Sequence, residues 1–358
     1  MTDNPKLRWY QYSLRSLLVL TTLVAIACSW YANEMYKASV RRQAIAEIKK
    51  LGAVVYYYDP DEYAYTGGKP PQWYSWMRRV YGDEYLGNAI KVDIGRCEEI
   101  SDSDLASLTC LSSLENIAVT YCPVSDAGLE HLKGLDKLES LKLDYTDITD
   151  AGLVSVSSHA NLEALFLDGT RITDKGLVNV KGITKLKFLS LWYTEISDAG
   201  LVNLSSLTNL ELLDLSHTYV TGAGLAHLKR CTNLKILHLR NTQTDDAGLE
   251  SLKGLTKIED IQLHGTRITD AGLAHLSRMT AMQCLVLYDT QVTDAGLVHL
   301  GNLKSLEALD LACTRISDAG LNQLTSLKHL NHIWVFDTQA TELGVSVLQH
   351  DLPNCDIH

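Results

Sequence analysis

Leu141-Lys142-Leu143-Asp144-Tyr145-Thr146-Asp147-Ile148-Thr149-Asp150-Ala151-Gly152-Leu153 decides the fold of this 358-residue chain. Leu141 and Leu143 alternate with Lys142, as in a short strand with one buried face. Thr146 and Ile148 follow at fixed offsets. Thr149-Asp150 reads as the start of a helical turn, which a short oxygen-bearing side chain caps. Gly152-Leu153, Val156 and Leu162 carry the returning helix. The phrase then repeats. Gly128, Gly152, Gly176, Gly200, Gly224, Gly248, Gly272, Gly296, Gly320 and Gly344 stand at an unbroken interval of 24 residues. A fixed period in this range marks a solenoid, in which each repeat buries its apolar face only against its neighbours.

The strand positions keep the same beat, from Ile117/Val119 through Leu141/Leu143 and Leu237/Leu239 to Ile333/Val335. Val92/Ile94 forms an earlier member one residue out of phase, and Cys355 and Ile357 suggest a last partial strand. The expected fold class is α/β: a horseshoe with eleven complete, parallel strands on the concave face and short helices on the convex face. At about 4.8 Å per strand the sheet should form an arc of roughly 50 Å. The expected organisation is a membrane or signal segment over 1–33, a helix–strand–helix cap over 34–91, and a solenoid of about eleven repeats over 92–358.

The pattern L-x-L-x-x-T-x-[IV]-[TS]-D-x-G-L-x-x-L resembles the leucine-rich repeat superfamily. It most resembles the branch with a helical convex side found in F-box-associated, cysteine-containing-like receptors and their bacterial relatives. The usual ladder Asn or Cys is mostly Thr here, from Thr146 and Thr170 to Thr338, with Cys97 and Cys122 at the start. The resemblance covers about 92–358. The head resembles membrane-anchored repeat proteins of planctomycete-type bacteria in Ser13-Leu14-Arg15-Ser16-Leu17-Leu18, Trp76-Met77-Arg78-Arg79 and Gly82-Asp83-Glu84-Tyr85. Residues 1–91 carry no F-box, so a ubiquitin-ligase role does not carry over.

The net charge of −11 divides unevenly. Residues 1–52 carry +5 and the remainder −16. So acidic a body repels phosphate backbones, which argues against nucleic acid as a ligand. The basic head suits a membrane surface. Ser16 to Asn33 are 18 uncharged residues between Arg15 and Glu34. As a helix they would span about 27 Å, close to the hydrocarbon thickness of a bilayer. Trp9, Tyr10, Tyr12, Trp30 and Tyr31 resemble interfacial anchors. The segment reads either as an uncleaved single-pass anchor or as a signal peptide cut near Ala25-Ile26-Ala27. The apolar run through Trp30-Tyr31-Ala32 favours the anchor. Lys6, Arg8 and Arg15 balance Lys37, Arg41 and Arg42, so the charge rule does not choose a side. An anchor so near the start of the chain favours a solenoid on the exported side.

Residues 34–51 read as a helix, Val54–Tyr58 as a strand, 59–72 as a loop and Trp73–Tyr85 as an aromatic helix that caps the solenoid. The eight cysteines show no metal-ligand spacing. Cys284 and Cys313 read as thiols in or near the core. Cys97 and Cys122 should be neighbours, and a disulfide between them is left open.

Strand residues between the leucines point to the concave face, where relatives usually bind. There the sequence varies from repeat to repeat. An aromatic and histidine track is expected across it: Tyr145, Phe166, Trp192, Tyr193, His217, His238, Arg240, His264, Tyr288 and Trp334 are the candidate ligand-binding residues. Exposed aromatics beside acids make recognition hot spots. His217, His238 and His264 occupy different offsets, so no metal site is expected. Asp126, Asp150, Asp174 and their counterparts read as helix starts rather than calcium ligands. No nucleophile, phosphate-loop or metalloprotease motif occurs, so neither catalysis nor a cofactor is expected. The function expected is non-catalytic binding of a protein or peptide. The alternatives are an envelope structural or self-associating protein, and a substrate-recognition subunit for a separate enzyme.

Overall fold

The computed structural model describes residues 14–57, 89–96 and 100–358. The predicted loop 59–72, the aromatic helix Trp73–Tyr85 and Cys97 lie outside the described residues. Thirteen strands form one sheet in strict sequence order. β1 (Val54–Tyr57) runs antiparallel to β2 (Ala89–Gly95), with Val55 opposite Val92. From β2 onward every neighbour is parallel, through β3 (Asn116–Thr120) and β4 (Ser140–Lys142) to β13 (Asp356–Ile357). Most strands are only three residues long, with equivalent leucines side by side, as in Leu141–Leu165–Leu189. The strand expected at Val54–Tyr58 forms as β1 and adds to the first edge of the parallel sheet by antiparallel pairing.

The core is one continuous apolar column. Leu141, Leu165, Leu189, Leu213 and Leu237 are fully buried, as are the helix leucines Leu153, Leu177 and Leu201. Each ladder threonine from Thr146 to Thr314 is buried. Its Oγ1 donates to the carbonyl three residues before, as from Thr146 to Leu143 at 2.6 Å. A buried hydroxyl is thereby satisfied inside its own repeat.

The aspartates begin the helical turns as expected, as at Asp126, Asp198, Asp270 and Asp294, and do more besides. The helical turn is capped by the preceding Ser or Thr: Ser125, Ser197, Thr269 and Thr293 each accept from the backbone N–H two residues on. The aspartate also reaches forward into the next repeat. Asp126 Oδ1 accepts from Thr149 N (2.8 Å) and its Oδ2 from Thr149 Oγ1 (2.6 Å). Asp150–Thr173, Asp174–Ser197, Asp198–Thr221, Asp246–Thr269, Asp270–Thr293, Asp294–Ser317 and Asp318–Thr341 repeat this pair of bonds. The staple also explains the glycine beat. A Cβ on Gly128 would lie 2.7 Å from Asp102 Oδ1, and one on Gly152 would lie 2.5 Å from Asp126 Oδ1. The glycine makes room for the carboxylate of the repeat before.

One junction is built differently. Gly222 stands where an aspartate is due, and Asp245 stands where the next Ser or Thr is due. The Asp245 carboxylate fills the space that a Gly222 side chain would take, and it caps its own helix by accepting from Gly248 N at 3.1 Å. The acid has moved from one side of the junction to the other.

At the amino end, α1 (Leu14–Lys50) is a single helix of 37 residues, not an anchor followed by a separate helix. Its apolar part is exposed from Leu17 to Asn33. Its last turns bury Ala38, Ala44, Ile45 and Ile48 against the turn Asp104–Cys110, where Ser107 Oγ donates to Glu47. Among the described residues it is the one helix long and apolar enough to cross a membrane, a property that signal sequences share.

Candidate ligand-binding surface

Two columns of side chains follow the strands. The first residue after each strand's second core position gives Asp144, Asp168, Trp192, Ser216, Arg240, His264, Tyr288, Ala312 and Phe336. The next residue is left-handed in every repeat, with φ between 52° and 65° from Arg96 to Asp337. Gly, Asn and Asp suit that conformation, whereas a bulky side chain there is strained. Asn241, Gly265, Asp289 and Asp337 follow the preference. Tyr121, Tyr145 and Tyr193 violate it, and His217 accompanies them. The repeats serve as their own control: the same fold position carries Gly, Asn or Asp at 169, 241, 265, 289 and 337, and aromatic residues at 121, 145 and 193.

Those early residues form one cluster. The rings of Tyr121 and Tyr145 stack at 4.5 Å and 11°. Tyr145 meets Trp192 edge-on at 5.9 Å, two repeats away. The span is possible because Gly169 lies between them. A Cβ on Gly169 would fall 2.6 Å from the Tyr145 ring. Trp192 continues to Tyr193 at 6.3 Å and to His217 at 5.9 Å, and His217 is fixed by Asn241 at 3.1 Å. Tyr121 and Tyr193 are 49% and 64% exposed, so the cluster faces solvent. Tyr121, Tyr145, Gly169, Arg171 and Asp147 also line a depression of about 450 Å³ beside it.

Two carboxylates near Tyr145 are held by backbone N–H groups. Asp144 accepts from Asp168 N at 3.1 Å. Asp168 accepts from Trp192 N at 3.0 Å and from the Ser190 hydroxyl. Burial raises the Asp144 pKa, while the Asp168 N–H and the charge of Lys142 act against it. Burial pushes Asp168 up to about 6; hydrogen bonds oppose this and the negative Asp144 adds to it. Burial also raises the Tyr145 hydroxyl, helped by neighbouring Tyr121, Asp168 and Asp144.

The continuous track expected from the sequence is divided into groups. Phe166 is half-buried, with the Lys142 ammonium 4.6 Å from its ring centre. His238 is mostly buried between two acids: its Nδ1 is 3.2 Å from Asp214 and its Nε2 3.9 Å from Asp260. Burial disfavours its charged form, but the two carboxylates prevail and hold its pKa at about 9. His238 is thus a charged tie across three strands. Arg240 is exposed, and its N–H donates to Ser216. His264 packs on Tyr288 at 4.5 Å, and Tyr288 reaches Phe336 at 6.3 Å over the buried Ala312. Trp334 joins neither cluster and lies beside His332 and His358 at the last edge. Among the described residues no three His, Cys, Asp or Glu side chains are placed to hold a metal ion. Cys313 is not in the core; it occupies the left-handed surface position, 3.9 Å from Asp337.

Asp144, Asp168 and Gly169 were not among the candidate site residues. Gly169 was detectable in the sequence as the single small residue interrupting a run of aromatics at one repeat position. The acids stand at concave-face positions in the sequence, but their burial and backbone hydrogen bonds became visible only in the fold.

This architecture is a leucine-rich repeat solenoid. Residues 136–157, 230–253 and 302–322 match a family model described as a Leucine Rich repeat. Among solved structures, the chain is similar to an internalin (InlF) of Listeria monocytogenes, at 18% identity and a TM-score of 0.56, covering 80% of this chain and 93% of that one. It is also similar to the ectodomain of the Arabidopsis receptor kinase HAESA in complex with an extended IDA peptide hormone, at 17% identity and a TM-score of 0.57. The match covers 85% of this chain and 49% of that ectodomain. A search of the curated proteins finds no match.

Proposed function

We propose that this chain is a non-catalytic, membrane-tethered scaffold that binds a protein or peptide through its concave face and the adjoining loop edge. The observation that carries this reading is the set of aromatic side chains at left-handed positions. Strain of on the order of 1 kcal/mol per residue persists where something other than the local fold requires the residue. Rigid, exposed aromatics beside half-buried polar groups are the composition of interface hot spots. The solved peptide complex of a receptor with this fold supports the reading by analogy alone.

Within this reading, 1–33 is the membrane segment, 34–91 the cap and 92–358 the solenoid, held on the exported side. The repeats fit the F-box-associated branch without an F-box, in a planctomycete-type bacterial protein. The binding core is Tyr145, Trp192, Tyr193 and His217. Arg240, His264 and Tyr288 extend it, and Phe166 and Trp334 lie at its margins.

The test is the double substitution Trp192→Ala/Tyr193→Ala. It should abolish recovery of the partner from cells while leaving the circular dichroism and unfolding midpoint unchanged. Retained recovery with an intact fold contradicts the site. Self-association in place of a saturable partner favours an envelope structural role.

A further inference from the structure

The ring cluster and the carboxylates near it point to a particular chemistry of ligand, and this inference rests on the function proposed above. The rings of Tyr145 and Trp192 meet edge-on across Gly169; Asp168 acts on the Tyr145 hydroxyl and accepts from the backbone N–H of Trp192. Asp144 and Asp168 receive hydrogen bonds from backbone N–H groups and a serine, yet among the described residues neither forms an ion pair. Lys142 offsets part of the charge at Asp144, but its ammonium is engaged over Phe166. Two acids one repeat apart are therefore held half-buried, beside aromatic faces, without a cation. The wider field has the same sign, since the chain beyond residue 52 carries −16. Anionic ligands are repelled from such a surface.

The chain itself displays the contact that would complete the site. At the outer end of the stack the Arg96 guanidinium lies 5.6 Å from the Tyr121 ring centre. Further along, the Trp192 ring stands edge-on to Tyr145. The nearby Arg171 guanidinium is paired with Asp147, so among the described residues no cation of the chain is paired with Asp144 or Asp168. A planar cation stacks on aromatic faces and donates several charge-assisted N–H bonds to carboxylates, which a neutral side chain makes only without the charge.

We infer that the partner presents an arginine side chain, within an exposed peptide segment, that stacks on Trp192 beside Tyr145 and donates to Asp144 and Asp168. Its flanking residues rest on Tyr121 and Tyr193. The geometry disfavours a polyanion and gives no reason for selectivity among neutral sugars.

The experiment uses the full chain in detergent micelles and two blocked pentapeptides, acetyl-Gly-Phe-Arg-Phe-Gly-amide and the same peptide with citrulline for arginine. Citrulline keeps the shape and removes the charge. Titration calorimetry should give at least a tenfold tighter Kd for the arginine peptide. Asp144→Asn/Asp168→Asn should bring the two peptides to equal affinity. Trp192→Ala should weaken both peptides while the circular dichroism stays native. Equal affinity in the unsubstituted chain, a preference that survives the double asparagine variant, or binding of neither peptide overturns the inference. Each of those results can coexist with loss of the cellular partner on Trp192→Ala/Tyr193→Ala, in which case the proposed function stands and its arginine chemistry falls.

Discussion

Asp168 is a residue that works against the fold it sits in. Its carboxyl has a folded pKa of about 6, above the ordinary 3.8, chiefly because burial disfavours the charge. For a raised acid, the stabilising contribution is complete below pH 3.8 and is lost as pH rises through about 6. At neutral pH the ionised group therefore subtracts from stability. Asp168→Asn should raise the unfolding midpoint at pH 7 and flatten the stability profile between pH 4 and 6, measured by thermal unfolding across that range. A lower midpoint at pH 7 would show that the hydrogen bonds of Ser190 and Trp192 outweigh the burial. Proteins keep such residues mainly where function needs them. His238 behaves oppositely in its effect near neutrality. Its raised pKa of about 9 means that its tie to Asp214 and Asp260 is complete below pH 6.5 and fades as pH rises through 9.

At the scale of the element, the pentad Thr/Ser-Asp-Ala-Gly-Leu is a joint between repeats. The hydroxyl caps one turn and is bound by the aspartate of the repeat before; the glycine leaves space for that aspartate; the leucine enters the core. Asp150→Ala would strand the backbone N–H and hydroxyl of Thr173 in a half-buried site. The cost should be roughly 1–3 kcal/mol, read from denaturant unfolding. The exchanged junction gives a sharper test. Gly222→Asp alone should destabilise, because the new carboxylate meets that of Asp245. Gly222→Asp with Asp245→Thr restores the usual pair and should recover most of the loss. If the two changes simply add, the joint does not operate as described.

At the scale of the whole molecule, the period in the sequence was enough to read the solenoid. A 24-residue repeat leaves one way to stack short strands and helices, and Leu141, Leu165 and Leu189 lie side by side as their spacing requires. The role of the repeated aspartate between repeats was not legible. A residue 23 positions from its partner looks local until the coil brings the repeats together. The division of the aromatic track was hidden for a similar reason, since Tyr145 meets Trp192 only by lying across Gly169. The apolar segment and the docked residues Ala38, Ala44, Ile45 and Ile48, which all follow it, belong to the one helix α1. Deleting residues 14–32 should therefore release the protein from membranes in fractionation while leaving its unfolding cooperative. Loss of folding would show that the exposed half of α1 supports the body.

The early aromatic cluster is the recognition surface proposed for this chain. The most direct measurement places a photo-crosslinking benzoylphenylalanine at Tyr193 in intact cells, with the same group at Val298 on the exposed convex side as control. A discrete adduct from position 193, absent from 298 and lost when Trp192→Ala is added, is the predicted result. Adducts that form equally from both positions, or that persist without Trp192, would contradict it.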